Sequence, residues 1–509
     1  MKKNAKSFIT FLITACILFS ILSVPAFAAA EAPSVTAKRI LMADLDADYI
    51  FYSVNADELV HPASLTKIMT LLLAVEAVEN STVSLQDNVT AYDDCRQGLE
   101  EDSSTQNIVP GEIMSFQNLM YCAMLGSANE ACNIIGEYIS GSISGFVDLM
   151  NQRAARLGCA NTHFANTNGL TDPAHYTTAS DLYIITKEAL KHDLFVEMCN
   201  KKTLIVPATN VSGERSLANS NALINPSGIY GPDYIYEPAK GVKTGYTYAA
   251  GYCLVSTAEK GGNRVCCIVL GCDGPLNVGA EEYNNFVDSI ALYKWVFSNY
   301  SKQTVISAAD TLAVSQAALA SGTGTVTLKT GKDINLLLPN DTENLPDHVT
   351  VTTRVYEDMM TAPISSGTVL GEADIYIDGS YCGTVDLVTP VSIELSKSAF
   401  IKQKLSETMS MTWVKAVIVI IVIFFVLYLF LVARYRTLRR RHLREKAAAE
   451  EKRRAAFEER ARAAREQAKQ RVSVSDETRR ISSEKAPRVP RAQSFEEIMK
   501  EFKDYSDEK

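Results

Sequence analysis

Pro62-Ala63-Ser64-Leu65-Thr66-Lys67-Ile68-Met69-Thr70-Leu71-Leu72-Leu73 sets a hydroxyl and an amine three residues apart at the head of an apolar, helix-forming run. Residues at i and i+3 are neighbours on a helical surface. If burial or a nearby positive charge lowers the pKa of Lys67, its amine can take the Ser64 proton and turn the hydroxyl into a nucleophile. S-x-x-K is a short pattern, so its surroundings decide what it means.

Upstream, Ile40-Leu41-Met42 and Tyr49-Ile50-Phe51 flank the turn-like Asp44 to Asp48, which predicts a hairpin within 37–52. Downstream, 117–190 is mostly helical in pattern, as in Phe146, Leu149, Met150 and Ala154. Gly251 to Ser256 and Arg264 to Leu270 read as strands around the turn Lys260-Gly261-Gly262-Asn263, and 290–300 reads as a closing helix. Strands at both ends with helices between them predict an α+β domain whose sheet joins distant parts of the chain. From about Thr304 the texture changes to short runs such as Val326-Thr327-Leu328, Val349 to Val355 and Ala373 to Ile377, separated by turn residues. That predicts a small, sandwich-like all-β domain over 303–402, followed by a linker at 403–412.

Both ends of the chain speak of membranes. Lys2, Lys3 and Lys6, an apolar run from Phe8 to Val24 and Ala26-Phe27-Ala28 make a signal peptide over 1–28, with the mature chain starting near Ala29. Ala416 to Ala433 carries no charge, and with Trp413 and Tyr435 as interfacial aromatics it predicts a transmembrane helix over 413–433. Arg434, Arg436, Arg439, Arg440, Arg441 and Arg444 follow at once, so the tail 434–509 is placed in the cytoplasm and the rest outside, in a single-pass arrangement. The tail reads as helical to about Arg471 and disordered over Ser473 to Gln493. Phe495, Ile498, Met499 and Phe502 then form a helical face suited to a cytoplasmic partner.

The net charge of −9 conceals a division. The tail holds 23 Lys and Arg against 15 Asp and Glu, a net +8, which leaves −17 for the remainder. Nucleic acid is therefore excluded as a partner of the exported part, and the tail's charge suits anionic lipid. Of 11 cysteines, Cys16 lies in the signal peptide; the others lack the spacing of a disulfide framework and read as small buried hydrophobes, which suits poorly oxidising surroundings.

Two triplets complete the pattern. An apolar helical run from Leu119 to Leu125 leads into Ser127-Ala128-Asn129, and Lys243-Thr244-Gly245 stands just before the strand at Gly251. Ser127 offers a hydroxyl to relay a proton, and Asn129 an amide to hold a peptide bond. Lys243 adds a positive charge that can lower the pKa of Lys67 and attract a carboxylate, which Thr244 can hydrogen-bond. Gly245 lets the chain approach a substrate closely.

With its S-x-x-K, S-x-N and K-T-G elements in this order, the chain resembles the serine penicillin-binding proteins and β-lactamases. More narrowly it resembles the D-alanyl-D-alanine carboxypeptidases. Leu157-Gly158, Thr162-His163-Phe164-Ala165-Asn166, Gly169-Leu170, His175-Tyr176, Thr178-Ala179, Gly241 to Thr247 and Ala250-Gly251-Tyr252 extend the match across about residues 35 to 300. The region to about 400 resembles the family's second domain more loosely. The resemblance implies a transpeptidase-type α+β fold over 29–302 and acylation of Ser64 by a peptidoglycan stem peptide ending in D-Ala-D-Ala, or by a β-lactam. Lys67 would be the base, Ser127 and Asn129 relay and substrate holder, and Lys243 and Thr244 carboxylate binders. The N–H groups of Ser64 and Tyr246 would form the oxyanion hole, and neither metal nor cofactor is implied.

One departure stands out. Family members carry a carboxylate-binding arginine about ten residues before the tryptophan of the closing helix, and that position, counted from Trp295, is Asn285. Arg264 is the candidate substitute. The rival functions are a β-lactamase, which needs fast deacylation, and a slow penicillin-binding scaffold signalling through the tail.

Overall fold

A computed structural model describes residues 31–342 and 344–472. The segments read above as signal peptide, disordered stretch and C-terminal helical face lie outside the described residues.

Alternation of apolar side chains builds the first domain around one sheet. Strands β1 (Arg39–Asp44) and β2 (Tyr49–Val54) form the expected hairpin. Two small ribbons follow, β3 (Asn88–Thr90) with β4 (Ile113–Ser115) and β5 (Thr203–Val206) with β6 (Arg215–Ala218). Strands β7 (Ala239–Thr247), β8 (Gly251–Lys260) and β9 (Asn263–Cys272) then complete an antiparallel five-stranded sheet in the order β2-β1-β9-β8-β7. The chain's first strand pairs with one more than 200 residues away, Met42 opposite Cys267.

Both faces of the sheet are covered. Leu41, Ala43, Cys266, Ile268 and Leu270 face a helical layer, while Ile40, Met42, Val265, Cys267 and Val269 face the opposite side. Successive strand residues point to opposite faces. The adjacent Cys266 and Cys267 are thereby buried in different cores, and all ten described cysteines are free and buried.

The helical layer is α1 (Lys67–Glu79), α2 (Phe116–Met124), α3 (Asn129–Ser140), α4 (Ile143–Leu157), α5 (Ala179–Ala189) and α6 (Asp193–Asn200). Its core joins Leu72, Leu119, Ile135, Phe146, Ile185 and Phe195. The closing helix α7 (Asn284–Asn299) starts earlier than the sequence pattern indicates and packs Phe286, Leu292, Tyr293 and Val296 on the other face.

The β domain holds the pairs β10 (Tyr300–Ile306) with β13 (Ile334–Pro339) and β11 (Ala313–Gln316) with β12 (Thr325–Leu328). Its three-stranded sheet is β14 (Val349–Val355), β15 (Val369–Ile377) and β16 (Ser380–Val388). It docks on the edge strand β2: Tyr49 packs with Ile306, Ile334 and Ile375, and Phe51 lies 5.2 Å from Tyr300. Lys302 Nζ donates to Asp46 Oδ2 at 2.6 Å, tying the β1–β2 turn to β10.

The stretch expected as a linker lies largely inside a helix, α8 (Lys397–Ser410). After it comes α9 (Thr412–Val472), whose apolar section has mean hydropathy 3.4 and contains no buried residue. An 18-residue apolar helix rises about 27 Å, enough to cross a hydrocarbon core.

Candidate active site

Ser64 does not lie in a regular α-helix. Ala63–Thr66 is a 3₁₀ turn that runs directly into α1 at Lys67. Tighter winding at i and i+3 brings the two side chains nearly into register, and Lys67 Nζ sits 2.9 Å from Ser64 Oγ. Ala63, just before the serine, has φ 49°. A non-glycine residue there is strained, and the strain is held by packing: Gly169, at φ 96°, lies so close that a Cβ on it would come within 1.8 Å of Ala63 O.

Lys67 is fully buried and has two further acceptors, Asn129 Oδ1 at 2.7 Å and Asn168 O at 2.8 Å. Burial pushes its amine down to about 8, against the opposing pull of Cys132 and Glu130. In the neutral state two N–H groups suffice for the two carbonyl oxygens. The lone pair is then left for the Ser64 hydroxyl, which is the arrangement a general base requires.

The S-x-N element closes the second wall. Ser127 has φ 53° and is pinned by its neighbours: Ala128 N donates to Cys122 O and Asn129 N to Ser104 O, both at 3.0 Å. Asn129 opens α3, so its side chain is fixed by helix geometry. The third wall is β7. Lys243 Nζ, 2% exposed as a residue, donates to Ser127 Oγ at 3.1 Å and to Thr244 O at 3.3 Å. Burial first, and then the charge of Lys67, push it down to about 7. Gly245 brings β7 against the nucleophile turn: a Cβ there would lie 3.2 Å from Ser64 N.

All eight residues singled out in the sequence therefore gather around one point, with Tyr246 next to Gly245 on β7. Three contributors lie outside the S-x-x-K, S-x-N and K-T-G elements. The Asn168 carbonyl comes from a loop, and Ser220 Oγ lies 2.6 Å from Thr244 Oγ1. His175 reaches Thr66 Oγ1 at 2.8 Å. His175 stands in wording shared with the family; nothing in the sequence marks Ser220.

Asn285 and Arg264 correct the expectation about the carboxylate. Asn285 is 2% exposed on α7, behind the sheet, where its Nδ2 donates to Cys253 O at 3.5 Å and its Oδ1 has no partner. Arg264 sits opposite Glu259 near the β8–β9 turn, whereas Thr244 is opposite Leu254. Five strand residues, about 17 Å, separate those two levels, and Arg264 is paired with Asp46. It is no substitute.

Glu76, Glu188 and His192 bring ligand-type atoms within 4.8 Å of one another. Arg153 already bridges both carboxylates and Lys191 pairs with Glu188, so the group is an ion-pair network.

A family model described as D-alanyl-D-alanine carboxypeptidase matches residues 26–274, and one described as penicillin-binding protein 5, C-terminal domain, matches residues 300–395. The chain is 34% identical over 245 residues to the D-alanyl-D-alanine carboxypeptidase DacF of Bacillus subtilis, a match covering 48% of this chain and 60% of that relative. It is 30% identical over 368 residues to the D-alanyl-D-alanine carboxypeptidase DacC of Escherichia coli, covering 72% of this chain and 86% of that one. The fold is shared with penicillin binding protein 5 from Haemophilus influenzae, at a TM-score of 0.57 and 24% identity over 72% of this chain and 99% of that chain.

Proposed function

This chain belongs to the D-alanyl-D-alanine carboxypeptidase family, and from that premise we propose that Ser64 is the residue acylated when it removes the terminal D-alanine of a peptidoglycan stem peptide. The observation that carries the assignment is the Lys67 amine, fully buried and 2.9 Å from Ser64 Oγ, with its other acceptors supplied by Asn129 and Asn168.

Neutral Lys67 takes the Ser64 proton as Oγ attacks the carbonyl between the two D-alanines. The N–H groups of Ser64 and Tyr246 receive the oxyanion, a contribution of about 3 to 4 kcal/mol per donor. Lys67 returns the proton it took to Ser127, which passes its own to the departing amine, so D-alanine leaves and Lys67 is neutral again. Water, deprotonated by Lys67, then attacks the ester, and that proton goes to the leaving Oγ to restore Ser64. Charged Lys243 and the Thr244 and Ser220 hydroxyls hold the substrate's terminal carboxylate, and Asn129 holds the preceding peptide bond. A β-lactam enters the same acylation step through its strained amide.

Residues 29–302 are read as the catalytic domain and 303–402 as the β domain, supported by the change of architecture at β10. We read the apolar part of α9 as a single-pass anchor with 434–509 in the cytoplasm, supported by the arginines that follow it.

Incubating the exported domain with a D-Ala-D-Ala peptide and with labelled penicillin, beside Ser64→Ala, tests the assignment. Release of D-alanine and stable labelling, both abolished by Ser64→Ala, is the expected result. Equal labelling of both proteins would remove Ser64 as nucleophile. Rapid penicillin turnover would mean a β-lactamase, and labelling without D-alanine release a binding protein.

A further inference from the structure

The hydrogen bonds around His175 determine its tautomer. Thr66 Oγ1 has one proton and donates it to Ala63 O at 2.9 Å, so at 2.8 Å from His175 Nε2 it must accept. His175 therefore carries its proton on Nε2. On the other side Ala165 N donates to Nδ1 at 3.0 Å, so Nδ1 is bare. The imidazole is neutral, 1% exposed and edge-on to Phe164 at 5.6 Å between ring centroids. His61 Nδ1 bonds the His175 carbonyl at 2.8 Å and His175 N donates to Asp172 O at 2.9 Å, so its backbone is fixed as well.

The same loop grips the nucleophile turn at three more places. Asn168 O accepts from Lys67 Nζ, Thr167 O accepts from Thr70 Oγ1 at 2.5 Å, and Gly169 packs on Ala63. His175 is the part of this grip that acts on the turn's own closing bond. By donating to Thr66 it leaves that hydroxyl one favourable direction for its proton, toward Ala63 O. Ala63 is the strained residue next to Ser64.

We propose that His175 is a positioning residue for acylation: as the neutral Nε2–H tautomer it fastens the Thr66 hydroxyl to the Ala63 carbonyl and so holds Ser64 Oγ against Lys67 Nζ. The inference rests on Ser64 being the nucleophile. It concerns the rate of acylation and not the affinity for substrate, because His175 touches no substrate-facing group of the site.

The test uses the exported domain and three variants. His175→Ala removes the ring, His175→Gln puts an amide N–H near the position of Nε2, and His175→Asn keeps an acceptor for Ala165 N but cannot reach Thr66. Penicillin acylation rate, kcat and KM for D-alanine release, and melting temperature are measured for each. His175→Ala should lose about 10- to 100-fold in acylation and kcat with KM within about twofold, the scale of a sub-ångström misplacement. His175→Gln should recover to within about threefold of wild type, and His175→Asn should stay slow at a melting temperature equal to that of His175→Gln. Should His175→Ala not fold, the Gln and Asn pair still decides. Equal rates for Gln and Asn, a folded Ala variant with wild-type acylation, or a loss confined to KM would each overturn the proposal. A wrong nucleophile would show separately, as penicillin labelling that survives Ser64→Ala.

Discussion

Around Lys67 Nζ the protein supplies three acceptors within 2.9 Å; around Lys243 Nζ, among the described residues, it supplies two, at 3.1 and 3.3 Å. The nucleophile half of the site is closed by its own loop, turn and helix. The half proposed to hold the carboxylate has Thr244 bonded to Ser220. The difference has a physical sense. A nucleophile and its base must be in place before substrate arrives, so protein atoms satisfy them. Groups that hold a carboxylate keep hydrogen-bonding capacity in reserve, which the substrate completes.

Lys67→Ala strikes the closed half hardest. Penicillin acylation followed by stopped flow should fall about a thousandfold to ten-thousandfold, the worth of a positioned general base. A loss under tenfold would mean that Lys67 is not the base and the comparison fails.

The second effect is on stability and also belongs to the closed half. Burial pushes the His175 imidazole from its ordinary 6.5 down to about 4. Between those values the unfolded chain binds a proton that the folded chain refuses, so stability falls as pH drops from 6.5 to 4, by up to about 3 kcal/mol. Denaturant melts at pH 4.5 and 7 should show a shallower pH slope for His175→Gln than for wild type. Identical slopes would show that the ring is not held neutral.

Third, the two halves should part in their pH profiles. Lys67 must be neutral to act, so kcat should rise as pH passes about 8. Lys243 must be charged to attract a carboxylate, and the part of its depression that comes from the Lys67 charge is lifted once Lys67 is neutral, so KM should rise only at a pH above about 7. Each limb approaches about tenfold per pH unit away from its midpoint. A single limb shared by kcat and KM would erase the distinction between the two lysines.

The smallest effects lie on the open half. Thr244→Val should raise KM about tenfold and Ser220→Ala about threefold, with kcat nearly unchanged, as befits single hydrogen bonds to a charged group. A larger loss in kcat than in KM for either would place that hydroxyl in the closed half.

These asymmetries also explain what the sequence could disclose. Ser64, Lys67, Ser127, Asn129, Lys243 and Thr244 could be named as candidates because the chemistry proposed for them depends on side-chain type at fixed spacing. The Asn168 carbonyl was not, since every residue carries a carbonyl and only the fold selects one. Ser220 has no local pattern, and counting back from Trp295 showed Asn285 where the family has an arginine but not where that residue lies, because spacing along a chain says nothing about which face of a sheet a helix covers. The hairpins at β1–β2 and β8–β9 were plain from alternation and turn residues. The strand at β7 was not announced: Lys243-Thr244-Gly245 was read as standing before a strand and instead lies within one. The helical form of 403–410 within the expected linker was hidden for a related reason, since a polar stretch with good helix formers scores equally well as a tether.

Helix α9 is 61 residues long. At about 1.5 Å per residue it measures about 90 Å, and from Arg434 to its end at Val472 about 57 Å remain beyond the apolar section. That remainder exceeds the depth of a headgroup layer several times over, so the unbroken helix carries the chain several nanometres past its apolar section.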